Sequence, residues 1–482
     1  MSIARGTRSA GARAEAQTDV EVVQTSADLS QRLTRLPELQ FTATSPARGA
    51  RVIGVNDRIR YQRIGGFGAA MTDTSAWLLD RELGRYPATR AALFGALFGA
   101  GGIDLGFLRV PIGASDFTHD GKPYTYDDLP RGRSDRTLSH FSIAHDESYV
   151  LPALHQALAI DHGIQILATP WSPPAWMKTN DSLDNVRHRG KLAPSAARPW
   201  AQYIVKFVQA YARAGVPIAA ITPQNEPTNP TTYPGLELPE SSEAKWLAHD
   251  LEPALGAARL HPEIYGNDYG WGPRGTAYAK ALASGAAART LNGIAWHCYF
   301  GTPAQMSEMH REAPRLDEIV DECSPGIIPF PISEAVIGSV RNWAGTVALW
   351  NLALDPHGGP VQPPNGGCHS CTALASVDER TGAISLGLNY FQLGQASAFV
   401  RPGALRIESN HFVSYRYKRP GANLVTSGLD DVAFLNPDGS RVLLAYDNSS
   451  SAISFAVQWR GQSLTYTLAA KAMVTLKWRG EG

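Results

Sequence analysis

The rhythm of apolar and polar positions changes twice along the chain. From residue 19 to about residue 62, short stretches such as "VEVVQTS" and "RIRYQRI" alternate in the β manner. Beyond residue 401 the alternation becomes nearly continuous, in "DVAFLNPDGSRVLLAYDN", "AISFAVQWR" and "SLTYTLAAKAMVTLKW", with "NPDGS" as a turn. Neither end has strands enough for a sheet of its own, so residues 19–62 and 401–482 are expected to build one small β-sandwich together. Residues 63–400 follow another pattern. Eight apolar runs surface in order: "GFGAAM", "LGFLRVPIG", "GIQILATPWS", "IAAITPQNE", "EIYGNDYG", "GIAWHCYF", "DEIVDECS" and "VALWNLALD". Segments with apolar spacings of three and four, such as "SYVLPALHQALAID" and "PWAQYIVKFVQAYARAG", lie between several of them. Eight strands alternating with helices predict an α/β protein of the (β/α)8 TIM-barrel type. A doubly wound sheet is the rival, but no Gly-rich phosphate turn follows the first run. Residues 1–18, small and polar, are expected to be disordered.

In such a barrel, chemistry collects where the strands end. Those ends carry Asp73, Arg109, Trp171, Asn225, Glu226, Asp268, His297, Tyr299, Glu322, Trp350 and Asn351. Glu226 closes the fourth run and Glu322 the seventh, which sets two carboxylates across the barrel mouth. A pair of acids about 5 Å apart suits a retaining glycosidase, in which one protonates the leaving oxygen while the other attacks the sugar. His297 and Tyr299, two apart on the sixth strand, point to one side and can reach the Glu322 carboxylate. Cys298 then faces the helices as a small packing residue. A metal-dependent hydrolase built on His297, Asp268 and Cys298 fails on the same alternation. No metal or organic cofactor is expected.

Composition narrows the partners. Lys+Arg and Asp+Glu both total 44, so the formal charge is zero and no basic stripe marks a nucleic-acid surface. No apolar run approaches the ~18 residues of a membrane span. "MSIARGTRSAGARAEAQTD" lacks the apolar stretch of a secretory signal, which gives a soluble, cytoplasmic expectation by default; a truncated or processed leader would look the same. Nothing in the pattern sets an oligomeric state. Four cysteines are too few for a disulfide scaffold, and the "GGCHSC" pair is read as a local disulfide or free thiols, since no second pair completes a zinc site.

Taken together, "GGFGAAMTDTSA", "LRVPIGASDF", "LATPWSPPAWMKTN", "ITPQNEP", "IAWHCY", "DECSPG" and "LWNLALDPHGGP" resemble the successive motifs of glycoside hydrolase family 30, the glucosylceramidase-like group of bacterial type. The resemblance runs from about Gly65 to Arg401. It implies a retaining β-glycosidase acting on a carbohydrate or glycoconjugate: a glucosylceramide-type lipid, a simple β-glucoside or a β-1,6-glucan. It assigns Glu226 as acid/base, Glu322 as nucleophile, Asn225 to the sugar's 2-hydroxyl, Arg109 to steadying the carboxylates, and Asp73, Trp171 and Trp350 to the glycone. Glu334, in "FPISEAVIGSVRNW", also resembles a family motif, but it opens a helix-like run and is read as a first-turn acid. Two places depart from the family pattern. The stretch after Glu322 is short, and Tyr269 and Gly270 stand where His and Asn are usual. The alternatives are a β-xylosidase or endo-glycanase of the same group, or a carbohydrate-binding protein that has lost catalysis.

Overall fold

The computed structural model describes residues 18–328, 330–362, 367–410, 415–416, 425–426 and 428–480. Residues 1–17 of the segment expected to be disordered lie outside these; Thr18 already opens a strand. Eight parallel strands close a barrel in chain order: Gly66–Ala70, Phe107–Ile112, Gln165–Pro170, Ala220–Ile221, Glu263–Gly270, Gly293–His297, Asp317–Glu322 and Ala344–Leu349. Each coincides with one of the eight apolar runs. The interior is filled by Phe107, Leu167, Ala220, Tyr265, Ala295, Ile319 and Ala348, one residue from each of seven strands. The first strand contributes little bulk for a steric reason: a Cβ at Gly68 would sit 1.8 Å from the Phe107 carbonyl oxygen.

Helices clothe the barrel where the spacing predicts them. Ala197–Arg213 buries Trp200, Tyr203, Ile204, Phe207, Val208 and Tyr211 along one face, and Val150–Ile160 buries Leu151, Leu154 and Leu158. The fourth strand is shorter than its apolar run because Pro223 has no N–H for the ladder. Residues 222–226 continue to the mouth on separate bonds, from Thr222 N–H to Ala168, Asn225 N–H to Pro170 and Glu226 N–H to Asp268.

Both ends of the chain supply the second layer. The strands run Thr34–Phe41, Thr18–Thr25, Met473–Trp478, Arg441–Asp447, Leu429–Leu435, Leu405–Glu408, Arg51–Arg63, Ile453–Trp459 and Gln462–Leu468. Reciprocal backbone bonds between Thr42 and Ser463 join the two ends of this sheet, so it folds over its own core of Val20, Ile53, Phe455, Leu476 and Trp478. Two barrel helices dock it. Leu388–Ser397 offers Gln395, bonded to Thr25 and Thr475, and Ile332–Arg341 offers Arg341, paired with Asp431 at 2.7 Å.

The cysteines correct one expectation. Cys298 does face away from the barrel axis, but it is bonded to Cys323, just past the end of the neighbouring strand, instead of packing as a small apolar residue. The second bridge is Cys368–Cys371.

Candidate active site

A cavity of about 170 Å³ opens at the C-terminal end of the barrel. Glu226 stands on its wall with φ +41°, a backbone that non-glycine residues adopt rarely. Glu322 is the last residue of the seventh strand. His297 lies between them: Nδ1 is 3.0 Å from Glu226 Oε1 and 3.5 Å from Glu322 Oε1. That nitrogen and one oxygen of each glutamate all fall within 4.8 Å of one another. Glu334 is elsewhere, in the first turn of Ile332–Arg341 and near Tyr446 and Lys471 of the sandwich.

Of the eleven strand-end residues, Glu226, Glu322, Trp171, Asn225, Tyr299 and Trp350 line the cavity. Trp171 and Trp350 stack with centroids 5.1 Å apart, and the Arg109 guanidinium lies 4.8 Å and 5.5 Å from their rings. The other five residues sit outside the lining. Arg109, Asp268 and His297 have no exposed surface and form a charged layer beneath it. Arg109 donates to Glu322 at 2.5 Å and to Asn225 and Asp268 at 2.8 Å, and lies 3.1 Å from Asp321. Asp268 also accepts from Thr222 at 2.5 Å and faces His297 Nε2 at 2.6 Å. Asn351 is fully buried, with its backbone bonded to Thr372 and Leu374. Asp73, at the first turn of a short helix, spends its carboxylate on the backbone and ring of His119, on His145 and on Tyr149.

Burial and proximity set the charges of this layer. Burial opposes the His297 cation, yet Glu322, Asp268 and Glu226 outweigh it and hold the imidazole protonated, well above its ordinary range. Arg109 is kept charged in the same way against its burial, by Asp268, Asp321 and Glu322. Burial would raise Asp268, but Arg109 and His297 bring it down to about 2. Asp321 is pushed above the carboxylate range by its burial and by Asp268, against the pull of Arg109 and His297. Burial, Glu322 and Glu226 likewise keep Tyr299 a proton donor, 3.1 Å from Glu322. Metal-ligand spacing occurs in Glu226–His297–Glu322, Asp268–His297–Asp321 and Asp127–Asp135–His140. In the first two, both ring nitrogens of His297 already face carboxylates, Nδ1 at 3.0 Å from Glu226 and Nε2 at 2.6 Å from Asp268. In the third, Asp135 is already bonded to Thr137, Ser139 and His140.

The wall also holds residues that strand periodicity does not reach. Asp116 lies four residues beyond the second strand, and burial and Glu322 push its carboxyl up to about 8. Asn229 donates to Glu226 at 2.6 Å, and Tyr233 stands beside it on the fourth loop. That loop is pinned to the third by Lys178, whose ammonium donates to Ser172 and to the carbonyls of Leu183, Asp184 and Gly235. Phe300 and Ile327, 64% and 46% exposed, make an apolar rim. The "SDF" after "RVPIGA" was the available signal for Asp116; the others had none.

Known proteins share this architecture. The model of the glycosyl hydrolase family 30 TIM-barrel domain matches residues 64–365, and that of the family's β-sandwich domain matches residues 403–476. An endo-1,6-β-D-glucanase of Neurospora crassa is 30% identical over 83% of the chain and 82% of the relative. The lysosomal acid glucosylceramidase of Mus musculus is 30% identical over 83% and 77%. Among solved structures, the endo-β1,6-glucanase BT3312 superimposes with a TM-score of 0.83 at 27% identity, covering 96% of the chain and all of that protein. SrfJ from Salmonella typhimurium, at 24% identity and a TM-score of 0.85, shares the fold over the same 96% and again all of that protein.

Proposed function

The chain belongs to glycosyl hydrolase family 30, and from that premise we propose a retaining β-glycosidase that hydrolyses a β-D-glucoside through a covalent glycosyl-enzyme. The observation that carries the reading is the pair Glu226 and Glu322. They come from opposite sides of one barrel, and their oxygens lie within 4.8 Å across a single cavity. That spacing leaves no room for an interposed water, as inversion would require, and suits direct attack on the anomeric carbon.

In this reading Glu322 is the nucleophile, aligned by Arg109 and Tyr299. Glu226 protonates the departing oxygen and then deprotonates the water that releases the sugar. The buried layer supports this division of charge. Arg109 and His297 place two positive charges beside the Glu322 carboxylate, at 2.5 Å and 3.5 Å. Asn225 must turn its oxygen to Arg109, which only donates, so its NH2 is free for the sugar's 2-hydroxyl. Trp171 and Trp350 receive the glycone face, and Asp116, protonated at neutral pH, meets a glycone hydroxyl. Asp73, Asp268, His297 and Asn351 act from outside the cavity lining. The cavity is smaller than the roughly 300–1,000 Å³ of drug-sized sites, which suits one ring, with the leaving group at the Phe300–Ile327 rim. β-1,6-linked gluco-oligosaccharides are the preferred candidates, since relatives bearing that activity in their names match over most of the chain.

Turnover of aryl β-glucosides, β-1,6-gluco-oligosaccharides and glucosylceramide, with the product anomer followed by NMR, tests the reading. Retention is expected. Glu322→Gln should lower kcat by about a thousandfold or more and Glu226→Gln by about a hundredfold or more, while Glu334→Gln stays active. Net inversion, or activity lost in Glu334→Gln and kept in Glu322→Gln, overturns it.

A further inference from the structure

The "GGCHSC" motif has a place in the fold that the reaction does not by itself require. Cys368 and Cys371 are bonded to each other, and both line the cavity that holds the two glutamates. The bridge closes a turn with His369 and Ser370 exposed at its tip, while Cys371 is buried against Trp350, Trp171 and Phe117. Two neighbouring loops lean on this turn. On one side the Cys368 N–H donates to Asp116 Oδ2 at 3.0 Å, and the Asp116 carbonyl accepts from Gln362 N–H at 2.9 Å. On the other, the loop that follows Glu322 passes so close that a Cβ on Gly326 would lie 1.6 Å from the Ser370 carbonyl oxygen. The turn is therefore wedged between the loop carrying Asp116 and the loop continuing from the seventh strand.

We propose that the Cys368–Cys371 bridge is a positioning element of the sugar pocket: it fixes the turn whose Cys368 amide holds Asp116 at the cavity wall. This rests on the reading of Asp116 as a glycone contact. A bridge across so few residues removes little entropy from the unfolded chain, so its effect is on the local geometry of the turn more than on global stability. Without the bridge, the amide remains but its direction is no longer fixed, and Asp116 loses the donor that orients it. Sugar binding weakens in ground state and transition state alike, so KM rises while kcat is retained.

The test is a double-mutant cycle. The paired variant Cys368→Ser/Cys371→Ser is made with and without Asp116→Ala. KM and kcat on a nitrophenyl β-glucoside are measured, with the Ki of a glucose-configured iminosugar. The expected result is a rise of about tenfold in KM and Ki with kcat within about threefold, falling to less than about twofold when Asp116 is already alanine. An equal loss in both backgrounds, or none in either, overturns the proposal while the reading of Asp116 stands. An Asp116→Ala variant with unchanged Ki overturns that reading and the proposal with it. The native enzyme treated with a dithiol gives a second measurement should the serine pair fold poorly. Thiolate attack on Cys368, the partly exposed end of the bridge, passes two electrons to the bond, leaving two protein thiols and a cyclic disulfide of the reagent. The Cys298–Cys323 bridge, 2% and 0% exposed, stays closed as the internal control. Mass mapping of alkylated thiols verifies which bond opened, and the same tenfold rise in Ki is expected. An unchanged Ki with only Cys368 and Cys371 alkylated overturns the proposal.

Discussion

At Asp116, proposed to meet a glycone hydroxyl, a single proton sets the expected effect of pH on sugar binding. Its carboxyl, pushed up to about 8 by burial and by Glu322, keeps its O–H below that pH, ready to donate to the hydroxyl of the proposed contact. Above pH 8 it ionises, loses the donor and adds a negative charge beside Glu226 and Glu322. KM on a β-glucoside is therefore expected to climb between pH 8 and 9.5 in the native enzyme. In Asp116→Asn, whose amide mimics the neutral acid, that limb should flatten; steady-state kinetics across this range checks it. A KM that climbs equally in the variant assigns the effect to another group. The same residue marks a boundary of legibility. Glu226 and Glu322 could be found from the sequence because each closes an apolar run at the barrel mouth. Asp268 and His297 close runs too and point inward, but spacing alone does not give depth: His297 lies beneath the cavity while Tyr299, two residues on, lines it. Asp116 lies in a loop, where no period applies. Cys298 was given the right direction by alternation. Its partner depends on the register between two parallel strands, set here by the bond from Cys298 N–H to the Glu322 carbonyl.

Among the elements, the helix Ile332–Arg341 holds the clearest conflict between local and tertiary forces. Glu334 occupies its first turn, where a negative charge gains about 0.3–1 kcal/mol from the helix dipole. Burial against the sandwich outweighs this. Desolvation, reinforced by Asp430, pushes the carboxyl up to about 9, and neither oxygen has a hydrogen-bond partner among the described residues. The unfolded chain releases this proton near the ordinary carboxylate value, and the folded chain keeps it until about pH 9. Native stability should therefore fall as pH rises from about 4.5 to 9. Glu334→Gln should flatten that slope by this residue's share, gaining more than about 1 kcal/mol on the native protein between pH 5 and 8.5. Urea midpoints at the two pH values measure this; parallel pH profiles would show the acid to be solvated. The sequence could place the acid on the helix but not the sandwich that dehydrates it, because that contact joins residues far apart in the chain.

Across the whole molecule, the sandwich is held by strands from both ends, as the alternating stretches implied. Its strand Thr34–Phe41 escaped notice because its polar residues mask the period. Residues Thr18–Thr25 lie between Thr34–Phe41 and Met473–Trp478 and cover part of the helix Leu388–Ser397. A chain lacking residues 1–43 should therefore expose the edge of Met473–Trp478 and the apolar face behind it, and run as aggregate on gel filtration. A monodisperse truncated enzyme would limit these strands to a minor role. The pairing of Val20 with Trp478 has a temporal consequence as well. A ribosome adding about 5–20 residues per second needs roughly 20 to 90 seconds to deliver the second partner after the first. Throughout that interval Thr18–Thr25 has only Thr34–Phe41 beside it and keeps one edge open while the barrel emerges, so the clasp closes only when the last strand arrives. A chaperone that shields such nascent edges would act on this protein during that wait.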